Sequence, residues 1–135
     1  HLVDLRTRTD RQGDQVLERA LAELLDDGTV QRHIRKRQRL YQARRAHLCG
    51  ALQDRLGHAL HIDPPAGGLA LWCPVLEGID VAAWVQRARG AGVYVMAGTP
   101  FGFQGAPIPA IRVGFARGTE AEIDRAVEVL AHTLG

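Results

Sequence analysis

Between Val30 and Leu56 the chain holds no proline, and Ile34, Tyr41, Leu48 and Leu52 recur at helical spacing, joined by Leu40, Ala51 and Leu56. That run predicts one long helix closed by Gly57. Beyond Gly57 the apolar pattern changes period, from three-to-four to two, and the segments become short and bounded by glycine and proline. A chain that begins with long helix and continues with short alternating segments cannot be all-helical or all-strand. It must layer helices on a small sheet, an α+β architecture.

The remaining elements follow from the same logic. Val16, Leu17, Ala20, Leu21, Leu24 and Leu25 form an apolar stripe on a helix from about Asp14 to Leu25, with Gly28 as its stop. Leu60–Ile62 reads as a short strand, Gly68–Cys73 (GLALWC) as a buried strand, and Val93–Met96 as strand-like. Asp80 caps a helix carrying Val81, Trp84, Val85 and Ala88, which ends near Gly90 or Gly92. Ile111–Ala116 alternates as a strand. Thr119 and Glu122 form a capping box opening a last helix with Ile123, Ala126, Val127, Leu130 and Leu134 inward. The glycine- and proline-rich stretch from Ala97 to Pro109 is long for a connection in a small domain and has the character of a binding loop or lid.

Composition limits the chemistry. The 135 residues are 46% hydrophobic, enough for one sizeable core, and no apolar run approaches the length of a membrane span. The chain has no serine and no asparagine, and its single lysine is Lys36, so a serine triad is impossible. Cys49 and Cys73 lack CxxC spacing, which points away from a disulfide framework and toward a reducing cytoplasm. Cys49, on the apolar side of the long helix, reads as core and not as a nucleophile. His58 and His61 have no further ligands to complete a metal site. Trp72 and Trp84 read as core or interface bulk. Gly67 and Gly68 ease entry into a strand or allow close backbone approach. The first residue is His1 and the only methionine is Met96, which suggests a piece of a longer chain.

Two features invite a functional reading. In Ile111-Arg112-Val113-Gly114-Phe115-Ala116, alternation puts Arg112 on one face with only Gly114 and Ala116 beside it. The space and the planar fork of donors suit a bidentate carboxylate, although a strand arginine paired with a neighbouring Asp or Glu gives the same pattern. Arg32, Arg35, Lys36, Arg37, Arg39, Arg44 and Arg45 form a basic run with no acidic residue among them. Phosphate contacts could use it. The formal net charge is only +2 and no aromatics are interleaved, so a solvated or partner-facing helix is the commoner account.

The segments RHIRKRQRLYQARRAHLCGAL, PPAGGLALWCPV, GVYVMAGTPF and IRVGFARGTEAEIDRAVEVLAHTL, in this order, resemble the C-terminal part of fold-type I aminotransferases. With DRQGDQVLERALAELLDDG ahead of HIRK, the chain looks most like MocR-type regulators, the GntR-like transcription factors that fuse a winged-helix domain to an aminotransferase-like domain. GLALW stands where many MocR-type proteins have GLHL, a departure toward kynurenine- or aminoadipate-aminotransferase-like members.

The resemblance implies a two-layer small domain, with a mostly antiparallel sheet, after a long helical segment. Residues 1–57 would be the end of the large domain and the linker helix, and 58–135 the small domain, in one globular unit. It implies that Arg112 binds the α-carboxylate of an amino acid or amine ligand and that Phe101 lines the site. It also implies pyridoxal 5'-phosphate in the parent protein, held by a large domain of the same chain, a parent homodimer, and DNA contact only through an N-terminal domain outside this sequence. Lys36, between Arg35 and Arg37, lacks the desolvated setting of a Schiff-base lysine, so this stretch alone is expected to hold no cofactor and to be inactive. Three readings stay open: the effector-binding part of a regulator, the small domain of a true transaminase, and a stand-alone interaction module.

Overall fold

Side-chain caps open three of the described helices. The computed structural model describes residues 2–9, 13–103 and 106–135. Asp14 accepts from the amides of Val16 and Leu17 and opens a helix at Gln15, and Asp80 accepts from Ala83 to open another at Val81. Thr119 and Glu122 form the full capping box that the T-x-x-E spacing predicts.

In chain order the elements are α1 (Leu2–Thr9), α2 (Gln15–Asp26), α3 (Thr29–Leu56), β1 (Ala70–Pro74), α4 (Val81–Gly90), β2 (Met96–Ala97), β3 (Ala110–Gly114) and α5 (Glu120–His132). The chain divides into two units, His1–Arg39 and Leu40–Gly135, with the division inside α3.

In the first unit, α1 was not expected from the sequence: it buries no residue and has no apolar stripe to announce it. Its Arg6 pairs with Glu18 of α2 at 3.0 Å. The α2 stripe is where the spacing puts it, but Val16, Leu17, Leu21, Leu24 and Leu25 are all exposed.

The second unit is an α+β layer structure. Its three strands lie in the order β1-β3-β2, all antiparallel, so the last strand is central. One face of the sheet offers Leu71 and Cys73 from β1 and Ile111 and Val113 from β3. These join Leu48, Leu52 and Leu56 of α3, Trp84 and Ala88 of α4, and Ile123, Val127 and Leu130 of α5 in one core. The indole N–H of the fully buried Trp84 donates to the Leu130 carbonyl at 3.0 Å, which satisfies its only polar atom.

Three expectations are corrected. Leu60–Ile62 is not a strand, since only Leu60 forms an isolated bridge to Val75. Val93–Met96 contributes only Met96 to a strand, β2, which continues to Ala97. The GLALWC segment is not buried on both sides: Leu71 and Cys73 face the core, whereas Trp72 is 39% exposed. A single layer of helices covers one face of the sheet, and period two then exposes every second residue.

Candidate functional site

The uncovered face of the sheet gathers the residues that carry chemistry. Arg112 lies in the central strand, opposite Trp72 on one side and Met96 on the other. It is exposed, and its guanidinium reaches the Met96 sulfur at 4.0 Å. Among the described residues no carboxylate lies within salt-bridge distance of it, although other surface arginines such as Arg19 and Arg55 are paired. Along the strand Gly114 adds no side chain on the same face, and it pairs with Ala70. A planar cation thus stands on the central strand with an indole and a thioether at the two flanking register positions and no side chain at Gly114, an arrangement suited to a small carboxylate.

Phe101 comes to the same place from the loop. Its ring meets Trp72 edge-on, with centroids 5.4 Å apart and planes at 89°. A 3-10 turn, Thr99–Phe101, positions it, and the loop base is tight. The Gly98 amide donates to Ala110 at 2.7 Å, and a Cβ on Gly98 would come within 2.7 Å of the Ile108 carbonyl oxygen, so only glycine fits. Within the long loop predicted from Ala97 to Pro109, residues 104 and 105 lie outside the described residues.

Trp72 reads from the sequence as core or interface bulk within a buried strand, and its 39% exposure excludes the core half of that reading. Counting by two from Leu71 and Cys73 would have put it outward, but the apolar neighbours made the whole segment look buried.

The other candidates sit elsewhere. Cys73 is fully buried and its thiol is pushed up to about 11, chiefly by desolvation and then by the nearby Cys49. Burial also raises the Cys49 thiol, against a smaller opposing effect of Arg45. Both are poor nucleophiles in this setting. In the basic run, Arg44 donates to the Ala116 carbonyl at 2.7 Å and Arg45 to that of Pro65, so these two are structural ties. Arg32, Arg35, Lys36, Arg37 and Arg39 are exposed. Among the described residues no three His, Cys, Asp or Glu side chains gather as a metal site requires.

The same residues can be tested against pyridoxal phosphate. Its covalent anchor would have to be Lys36, which is exposed and lines a shallow depression with Arg32, Arg35 and Arg39. No described charged or polar side chain is buried to hold a pyridine nitrogen. Among the described residues no set of side chains is arranged to hold the group, and no chemical step is assigned through it.

Comparison with known proteins adds a family to this geometry. Residues 8–130 match the family Aminotransferase class I and II. The chain is 26% identical over 110 residues to aromatic-amino-acid aminotransferase 1 of Thermococcus litoralis, a match covering 82% of this chain and 26% of that protein. It is equally 26% identical over 110 residues to YdeL of Bacillus subtilis, named an HTH-type transcriptional regulator, with coverage of 82% and 24%. The chain therefore spans about a quarter of the length of the curated relatives it matches. Among solved structures, LysN, the alpha-aminoadipate aminotransferase of Thermus thermophilus, superposes with a TM-score of 0.83 at 23% identity, covering 98% of this chain and 34% of the other. With a family match over most of its length and a shared fold, this chain belongs to the aminotransferase class I and II family.

Proposed function

We propose that this chain is the effector-binding, C-terminal part of a MocR/GntR-type transcriptional regulator, in which Arg112 grips the carboxylate of an amino acid or amine ligand. The observation that carries the reading is the Arg112 guanidinium itself, exposed on the central strand and unpaired among the described residues. Phe101 and Trp72 form the apolar wall beside it. Regulators among the relatives support the regulatory branch.

In this reading residues 1–57 are the end of the large domain and the linker helix, and residues 58–135 are the small domain. The second half of α3 is the part of the linker anchored in the core through Leu48, Leu52 and Leu56. The large domain, upstream in the same polypeptide, supplies the lysine and binds pyridoxal phosphate. The parent is a cytoplasmic homodimer that contacts DNA through a winged helix. No described helix is long and apolar enough to cross a membrane. The small domain orients the ligand and closes over it, excluding water from the cofactor.

Arg112→Ala in the intact protein tests the assignment. Loss of a charge-assisted bidentate contact is expected to weaken binding of carboxylated amino acids by about 2 to 4 kcal/mol, measured by calorimetry. An amine without a carboxylate should bind the variant and the parent alike. Equal affinity of the two proteins for the carboxylated ligand rejects the site.

A second reading, the small domain of a true transaminase, is favoured by the likeness to the Thermococcus litoralis enzyme. Sustained amino transfer from an amino acid to a 2-oxo acid by the intact protein would decide for it.

A further inference from the structure

The basic run on α3 carries an inference independent of the Arg112 site. Arg32, Arg35, Lys36 and Arg39 are spaced i, i+3, i+4 and i+7, which puts all four on one face of the helix, and they line a single depression. Arg32 is partly occupied: its guanidinium donates to the Asp27 carbonyl at 3.1 Å and to the Thr29 hydroxyl at 2.8 Å, and its charge helps hold the Asp27 carboxyl below its ordinary range, after the larger effect of hydrogen bonds from Thr29. Arg35, Lys36 and Arg39 take part in no ion pair among the described residues, and all three are exposed.

This arrangement works against the helix that displays it. Like charges at i, i+3 and i+4 repel each other. The first turn holds no acidic residue to offset them. Asp27, just ahead of the helix, offsets Arg32, whereas Arg35, Lys36 and Arg39 have no acidic partner among the described residues, and an outside partner can supply that compensation. The partner must be densely anionic.

Between these cations the face offers no apolar residue, since Ile34 falls on the other side of the helix by periodicity. A protein partner would need an apolar centre to its interface, whereas a nucleic-acid backbone needs only spaced cations. From Arg35 to Arg39 the stripe rises about 6 Å along the axis, comparable to the roughly 7 Å that three successive phosphates of one strand advance along a duplex. We propose that the Arg35–Lys36–Arg39 stripe of α3 binds the phosphate backbone of duplex DNA without sequence preference. The proposal goes beyond the ligand site and beyond recognition by a winged helix outside this sequence.

The test uses this full chain and a labelled short DNA duplex of arbitrary sequence, read by fluorescence anisotropy across a salt series. Three neutralised phosphates give a slope of log affinity on log salt of about −3, so affinity should fall about 40-fold between roughly 50 and 200 mM salt. In the double variant R35Q/K36Q the slope should flatten to about −1 and the same change of salt should cost only about fourfold. Arg125→Gln, an exposed arginine off the stripe, should leave the slope as it is. Polyglutamate replaces the duplex in a parallel arm and should bind weakly. No duplex binding, an unchanged slope in the double variant, an equal loss with Arg125→Gln, or polyglutamate binding as tight as DNA would each overturn the proposal. Circular dichroism adds a check: the double variant should be as helical as the parent or more so, and loss of helix would refute the claim that the stripe is held against the stability of α3. None of these readouts involves Arg112, so the failure of one assignment leaves the other standing.

Discussion

The two faces of β3 alternate residue by residue yet occupy opposite environments. Ile111 and Val113 are buried among side chains from α3, α4 and α5, whereas Arg112 and Gly114 look outward over an uncovered surface shared with Trp72 and Met96. The covered face holds the strand in place and the bare face keeps a cation available. A site on the central strand gains rigidity because both neighbouring strands fix its backbone, and it gains freedom because no helix crosses that side. The two tryptophans repeat the lesson. Trp84 is fully buried with its N–H satisfied, while Trp72 is 39% exposed and meets Phe101 edge-on.

The sharpest way to break this contrast is on the covered side. Trp84→Ala removes the largest fully buried side chain and the bond to Leu130, and should cost about 3–5 kcal/mol in urea unfolding followed by circular dichroism. A loss near 1 kcal/mol would mean that the core has no such centre.

A smaller effect is expected from alkaline pH. The Cys73 thiol is raised from an ordinary 9.0 to about 11, so the native state keeps its proton where the unfolded chain has lost it. Stability from this group is complete below pH 9 and is lost as pH rises toward 11, by at most about 2–3 kcal/mol. Cys73→Ala should flatten that part of the curve, and an equally steep fall in the variant would assign it to another group.

Smallest is the effect of stripping the bare face. Trp72→Ala should cost about 1 kcal/mol, through its contact with Phe101, and Arg112→Ala should stay within about 0.5 kcal/mol of the parent. An Arg112→Ala variant destabilised by several kcal/mol would make the arginine a structural tie and end the contrast.

Much of this was legible in the chain. The spacing of Leu48, Leu52 and Leu56 predicts α3, the Asp80 and Thr119 caps predict where α4 and α5 begin, and alternation around Arg112 predicts which side chains share its face. Other features lacked a local signal. α1 buries nothing, so no periodicity announces it, and the apolar letters around Trp72 hide its outward orientation. Leu60–Ile62 has the composition of a strand, but only Leu60 finds a partner.

What the sequence determined by itself is local: helix length, caps, and the face each residue occupies along its own element, because these depend on neighbours a few residues away. The order β1-β3-β2, which sets Trp72 and Met96 on either side of Arg112, was decided only by the tertiary structure. Pairing between strands some forty residues apart follows from which arrangement buries the most apolar surface across the whole unit, and no short stretch of sequence encodes that sum.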